Sequence, residues 1–536
     1  MRLANRDLTD KAQWERAGIQ LPRFDRAAMI AATKKNPQWV HFGPGNIFRA
    51  FPAAIQQALL DEKAVDTGIV VVEGYDYEII DRVFLPFDNL ALSVTLKSDG
   101  GMEKTVIASI AEALKADCPS ADFARLEEIF RSPSLQMASF TITEKGYSLT
   151  AASGAYIPAV EQDFQNGPKA PVSSMGKVAA LMYRRYCAGQ LPLALVSMDN
   201  CSHNGDLLCA AVLAFACKWQ ENGHVEAGFS AYLENPAKVG FPWTMIDKIT
   251  PHPDDTVRAK LAADGLSGAE CQVTAKGTYA APFVNAEETG YLVIEDSFPN
   301  GRPPLDKKGV IFTDKETVDR VEKMKVCTCL NPLHTAMSIF GCLLGYTRIN
   351  EEMKNPDIVK LIEIIGYKEG LPVVVDPGIL SPREFIDNVI RLRLPNPFVP
   401  DTPQRIAADT SQKIPVRFGQ TIKAYLASST LKTGDLKLIP LVIAAWLRYL
   451  MGINDEGKPF ELSPDPLLPA LKPALASVKL GDKGPFRAVL EPLLSDERIF
   501  AVNLYQAGLA ERVERCFAEL VEGPGAVAKT LKRYTA

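Results

Sequence analysis

From Asn36 onward a polar, helix-like start gives way to the apolar run Trp39-Val-His-Phe42, which stops at Gly43, Pro44 and Gly45. Behind these breakers, Ile47, Phe51, Ala54, Ile55 and Leu59 recur on one face of a helix reaching residue 60, the spacing of an amphipathic α-helix. Residues 68–72 hold Ile69-Val-Val-Val72, with Gly68 before and Gly74 just beyond. A run apolar at every position suits a strand covered on both faces in a parallel sheet, so the first seventy residues read as β-α-β. Further strand patterns at 103–110, 136–143, 193–198 and 291–295 alternate with helical stretches at 121–130 and 175–188. That alternation predicts an α/β domain over 37–315, preceded by an extension at 1–36. After about residue 315 strand signals fade, and 316–325, 333–346, 356–366, 382–393, 416–429, 436–452, 485–495 and 502–521 read as helices. A mainly α-helical domain over 316–536 follows, with Pro/Gly-rich stretches at 297–305 as the linker and 452–472 as a long surface loop.

Composition narrows the partners. A chain of 536 residues has room for two to four domains. With 59 Lys and Arg against 64 Asp and Glu, a net −5, and no basic stripe, nucleic acid is not the expected partner. The charged N-terminus lacks the apolar core of a secretory signal. The longest apolar stretch, 438–447, contains Pro440 and runs into Arg448, short of the ~20 residues that cross a bilayer. No membrane partner and a cytoplasmic location are expected. Ten dispersed Cys and five scattered His form neither a disulfide framework nor a zinc motif. No metal is expected, so any redox chemistry falls to an organic cofactor.

Three segments carry that chemistry. Gly43-Pro-Gly45-Asn46-Ile47-Phe48 lies between a strand and a helix, where glycines let the backbone approach a pyrophosphate seated on the helix N-terminus. Phe48 stands where the usual fingerprint has a third glycine. Glu73, ending the second strand, suits the ribose diol of NAD and would repel the 2′-phosphate of NADP; read blandly, it is a solvated acid at a strand end. The segment Asp199-Asn200-Cys-Ser-His-Asn204-Gly205 follows another strand. Its amides are placed to donate to a substrate oxygen, or simply to cap a helix. Asp199 and Thr143 are expected near the nicotinamide. In the helical half, Glu322, Lys325, Asn331 and His334 put an amine, an amide and an imidazole close in sequence, as carbonyl reduction requires of its proton donor and oxyanion donors; the plain alternative is a surface lysine and a core histidine. Together these predict a Rossmann-type dinucleotide-binding domain followed by a mainly α-helical C-terminal domain.

In order, WVHFGPGNIFRAF at 39–51, TITEKGY at 141–147, VSMDNCSHNG at 196–205, VGFPWTMIDKITP at 239–251, CLNPLHTAMSIFGCLLGY at 329–346, NPFVPDTPQRIAADTSQK at 396–413 and SDERIFAVNL at 495–504 resemble the motifs of the polyol-specific long-chain dehydrogenases, the mannitol dehydrogenase family. That family often has His where this chain has Phe48 and Phe51. The resemblance implies metal-independent, NAD(P)-dependent oxidation of a secondary alcohol. By it, Lys325 is the general acid/base, Asn331 with Asn200 or Asn204 the oxyanion clamp, His334 a substrate-positioning group, Glu322 a proton relay, and Arg405 and Lys413 substrate-binding cations. One departure concerns spacing: the family separates the lysine and asparagine by five positions, whereas here they are six apart (331 − 325). A bulge or helix start must absorb the extra residue.

The basic residues set the expected substrate. Arg405 with Lys413, or Arg393, is suited to hold a carboxylate by charge-assisted hydrogen bonds, which favours a keto-hexuronate/hexonate pair, D-fructuronate and D-mannonate, with NAD. The alternatives are tagaturonate, a neutral polyol such as mannitol, and a pairing of these basic residues with Asp401 and Asp409 that has nothing to do with substrate. A nucleotide-binding protein that has lost catalysis is the remote alternative.

Overall fold

The computed structural model describes residues 1–398 and 401–536; Val399 and Pro400, inside the 396–413 motif, lie outside the described residues. The chain forms two compact units, Met1–Lys97 with Gly101–Asp319, and Ser98–Gly100 with Arg320–Ala536.

The first unit is built on a six-stranded, all-parallel sheet in the spatial order Ile110–Lys115, Ile69–Glu73, Trp39–Phe42, Met137–Phe140, Leu193–Ser197, Val239–Gly240. Numbered along the chain this is 3-2-1-4-5-6, the doubly wound dinucleotide-binding order. Every residue of the strands at 39–42, 69–73, 137–140 and 193–197 is buried, which explains their largely apolar runs. Alternation sorts the side chains into two cores: Val40, Val70, Val72 and Phe140 pack on one face, Trp39, Ile69, Val71 and Met137 on the other. His41, also buried, is accommodated because its ring nitrogens meet Ser139 Oγ at 2.7 Å and Thr141 Oγ1 at 2.9 Å. Burial pushes its pKa down to about 3, so the ring is neutral.

Three expectations change in this unit. The run at 103–110 is not one strand. Met102–Ile107 pairs antiparallel with Ala91–Leu96 in a separate four-stranded sheet, and Ile110–Lys115 enters the main sheet. No glycine or proline marks the change, which falls at Ser109, where the hydroxyl donates to Ala53 O and the carbonyl accepts from Ile69 N. Residues 1–36, read as an extension, pack into this unit: Ile19–Gln20 is the outer strand of that second sheet, and buried Arg26 donates to the carbonyls of Ala108 and Ile110. The helix read over 47–60 is two, Asn46–Ala50 and Pro52–Asp61, because Phe51 leaves helical geometry before a proline at the first position of the second.

Among the described residues no strand follows Thr313, and the second unit is helical. Leu438–Tyr449, buried at every position, packs beside Asn331–Leu343 at its centre. The helical run Lys315–Leu343 is long and apolar enough to cross a membrane by length and composition alone, but 78% of its most apolar window is buried within the protein. Among the described residues, four π-helical segments interrupt the α-helices of this unit: Lys325–Cys329, Ile365–Gly370, Val389–Arg393 and Pro415–Gly419. The stretch read as a helix over 502–521 becomes helical only at Ala510–Leu520.

Candidate active site

In the first unit, functional positions gather where strands Trp39–Phe42 and Met137–Phe140 part at their C-terminal ends. The crossovers run in opposite directions from these two strands, so this is the point where an open sheet leaves a ligand crevice. Gly43 has φ +99°, and a Cβ there would lie 2.1 Å from Thr141 O; only glycine fits. Its amide donates to Val72 O, and its carbonyl accepts from Thr141 Oγ1 at 3.0 Å. Gly45 instead faces open space, with nothing within 4 Å of where a Cβ would stand. Directly after it, the amides of Asn46, Ile47 and Phe48 begin a helix and so have no acceptor within it. This open cradle of backbone donors fits a dinucleotide pyrophosphate. Phe48, expected at the cofactor, needs correcting: its side chain is fully buried and stacked on His41 at 4.1 Å, leaving only its amide for a phosphate. The Asn46 amide oxygen accepts from Arg49 Nη2.

Glu73 is buried, and its Oε1 accepts from the amides of Tyr75 and Asp76. Burial raises its pKa, and those hydrogen bonds work against the rise. The carboxylate therefore shapes its own turn at the strand end, where a ribose would lie. Asp199 is likewise committed. Oδ1 accepts from Thr143 N at 2.9 Å; Oδ2 accepts from Ile142 N at 2.9 Å and from the Tyr147 hydroxyl at 2.6 Å. It holds the 142–143 loop in place rather than standing open to a cofactor, whereas the Thr143 side chain is exposed.

The two asparagines separate cleanly. Asn204 is fully buried; its Nδ2 donates to Asp199 O, Thr244 O and Thr244 Oγ1, and its Oδ1 accepts from Thr244 N. With donors and acceptor used, it is a structural clamp and not the sheet-side substrate amide. Asn200, exposed at the strand end, keeps that role open.

In the second unit, Lys325 is buried as the first residue of the π segment that joins helix Lys315–Met324 to helix Asn331–Leu343. Leu330 N donates to Lys325 O at 3.1 Å, an i→i−5 bond. This turn holds one residue more than an α-turn, and so takes up the sixth position between Lys325 and Asn331. Glu322 precedes Lys325 by three residues on its helix, and His334 follows Asn331 by three on the next, so each pair shares a helical face. Asn331 and His334 are half-buried.

The two expected substrate cations are occupied. Arg405 is 72% exposed and forms a two-pronged pair with Asp401. Lys413 Nζ donates to the carbonyls of Ile406 and Ala408, closing the short helix Pro403–Ile406. Sequence reasoning missed Arg417, whose Nη1 donates to Thr335 Oγ1 at 2.5 Å and Asn331 O at 3.4 Å. The available signal was its position four residues after Lys413, obscured by Pro415 between them.

Comparisons with known proteins place the chain in a family. Residues 37–307 match the model of the mannitol dehydrogenase Rossmann domain, and residues 317–521 that of the mannitol dehydrogenase C-terminal domain. A D-mannonate oxidoreductase of Thermotoga maritima is 54% identical over 99% of this chain and 98% of its own. A D-mannonate oxidoreductase of Escherichia coli is 28% identical over 90% and 93%. Among solved structures, the Pseudomonas fluorescens mannitol 2-dehydrogenase in ternary complex with NAD and D-mannitol superposes with a TM-score of 0.69 at 27% identity, covering 99% of both chains.

Proposed function

The chain belongs to the mannitol dehydrogenase family, and we propose that it is the NAD-dependent oxidoreductase that interconverts D-fructuronate and D-mannonate. The observation that carries this reading is the 54% identity, over nearly the full length of both chains, to a D-mannonate oxidoreductase. The NAD in the Pseudomonas fluorescens complex supports the cofactor, as does the glycine cradle at 43–48.

When bound, NADH supplies the hydride that converts the keto carbon into a secondary alcohol. The chain supplies the rest. Gly43 and Gly45 let backbone amides reach the pyrophosphate, and Thr143 and Asn200 sit at the strand ends beyond it. Lys325 carries the proton given to the carbonyl oxygen in reduction and taken from the hydroxyl in oxidation. Asn331 donates to that oxygen as negative charge develops, His334 orients the neighbouring hydroxyl, and Glu322 passes protons to and from Lys325. Every member of this set is an organic base, acid or amide, and the scheme uses no metal.

The test is NADH oxidation by the purified protein with D-fructuronate, D-tagaturonate and D-fructose. D-fructuronate is expected to give the highest kcat/KM, and a preference for D-fructose would overturn the reading. The pairing of Arg405 with Asp401 and the hold of Lys413 on two backbone carbonyls favour a neutral substrate instead, because they remove the expected counter-charges. In that second reading the enzyme oxidises mannitol.

A further inference from the structure

A sugar acid brings a carboxylate that must be met by a cation when it leaves water. Neither expected cation is available: Arg405 is tied to Asp401 and Lys413 to two backbone carbonyls. Arg393 is almost completely buried in its own π segment. Arg417 differs from all three. It lies in the π segment Pro415–Gly419, which packs against both Lys325–Cys329 and Asn331–Leu343. Its Nη1 reaches Thr335 Oγ1 and Asn331 O, so the guanidinium lies against the helical turn that carries Asn331 and His334. Both acceptors are neutral, and no carboxylate among the described residues pairs with it. Burial pushes its pKa down to about 10, with no acidic neighbour to offset the effect. Arginine stays charged at that value, and a guanidinium offers five donors in a planar fork that matches a carboxylate edge. Those not directed at Thr335 and Asn331 are available to a ligand.

We propose that Arg417 is the residue that binds the substrate carboxylate, and thereby selects a hexuronate over a neutral keto sugar. The inference rests on the reading of the protein as a fructuronate reductase and adds to it the group that recognises the acid. Arg405 then serves its ion pair with Asp401, and Lys413 the carbonyls of Ile406 and Ala408. The π turn at 415–419 has a specific consequence here: it displaces the helix that follows and sets Arg417 toward Asn331, whereas a regular α-turn would rotate it by the angle of one residue.

The experiment compares Arg417→Met and Arg417→Lys with the wild type, using D-fructuronate and D-fructose as substrates and NADH titration with thermal melting as the check of folding. For Arg417→Met the ratio of kcat/KM on fructuronate to that on fructose is expected to fall on the order of 100-fold, mainly through KM. Arg417→Lys keeps a charge without the fork, and a fall of about tenfold is expected. A purely structural role would lower both substrates alike, so a ratio unchanged within threefold in a folded variant overturns the proposal. Should Arg417→Met fail to bind NADH or to melt cooperatively, Arg417→Lys decides by the same ratio. A wild type that prefers fructose overturns the fructuronate reading itself. A wild type that prefers fructuronate, with variants that keep the preference, overturns only the assignment to Arg417.

Discussion

Asp199 holds Thr143 by a 2.9 Å hydrogen bond from the Thr143 amide, with φ of Thr143 at +64°. A β-branched residue rarely adopts a positive φ, and such a conformation costs about 1–3 kcal/mol that the surroundings must offset. Here they do so through one carboxylate that also takes the Ile142 amide and the Tyr147 hydroxyl. Asp199→Asn turns an acceptor into a donor facing these groups. The loop at the cofactor end of the sheet is expected to relax, and the Kd for NADH, read by fluorescence titration, to rise by about 10- to 100-fold. Tyr147→Phe removes one contact of three and should give a smaller rise. An unchanged Kd in Asp199→Asn would separate the loop from cofactor binding.

Gly43 and Gly45, two residues apart, are expected to fail differently. At Gly43 an alanine Cβ would lie 2.1 Å from Thr141 O on a backbone at φ +99°, so Gly43→Ala should destabilise the first unit by about 3 kcal/mol or more and abolish NADH binding. At Gly45 φ is −72° and nothing lies within 4 Å of a Cβ. Gly45→Ala should therefore melt like the wild type yet bind NADH at least tenfold more weakly, because the methyl group occupies the space the pyrophosphate approaches. Melting curves and NADH titrations of both variants check the contrast.

The difference between these glycines shows what the linear chain reveals. Strands buried on both faces have no alternation to lose, so 39–42, 69–73 and 193–197 stand out as apolar runs. The strand Ile110–Lys115 hides, because its apolar residues continue those of the strand before it. Asn200 and Asn204 have the same chemistry; only the contact of Asn204 with Thr244, 40 residues on, removes it from the catalytic set. Arg405 matched a substrate-binding position by motif, but its Asp401 partner is four residues before it and reads equally as an ion pair. The π turns are invisible to a 3.6-residue template. One takes up the extra residue between Lys325 and Asn331, and another carries Arg417 onto Asn331 and Thr335.

Lys325→Ala is expected to reduce kcat by 10²- to 10⁴-fold, the range of a lost general acid, with NADH binding unchanged; near wild-type turnover would remove Lys325 from the proton path. The π turn permits a second comparison. Deleting Cys327 shortens the segment 325–329 to the length of an α-turn, so the flanking helices keep their register and turnover within about tenfold of wild type is expected. Inserting one alanine after Cys327 exceeds what the turn absorbs, rotates Asn331 and His334 away from Lys325 and should abolish turnover. Equal losses in the two variants would count against the π turn as the site that takes up the extra residue.

Glu352 offers a measurement independent of catalysis. Its side chain is fully buried, neither carboxyl oxygen has a hydrogen-bond partner, and burial, with Asp401 nearby, raises its pKa to about 9. Buried Cys342, whose thiol is itself pushed up to about 12, is a further titratable neighbour. The folded protein thus keeps a proton up to about pH 9 that the unfolded chain releases in the ordinary glutamate range, near 4.3. Between these limits the native state binds more protons, so stability falls as pH rises, by up to about 1.4 kcal/mol per pH unit. This contribution is fully present below the unfolded pKa and lost as pH passes the folded one. Glu352→Gln cannot ionise and removes the slope. The variant's melting temperature minus that of the wild type is expected to grow steadily from pH 5 to pH 8.5. A difference constant across that range would mean that Glu352 ionises in the folded state at its ordinary pKa, with a cation or water paired to it.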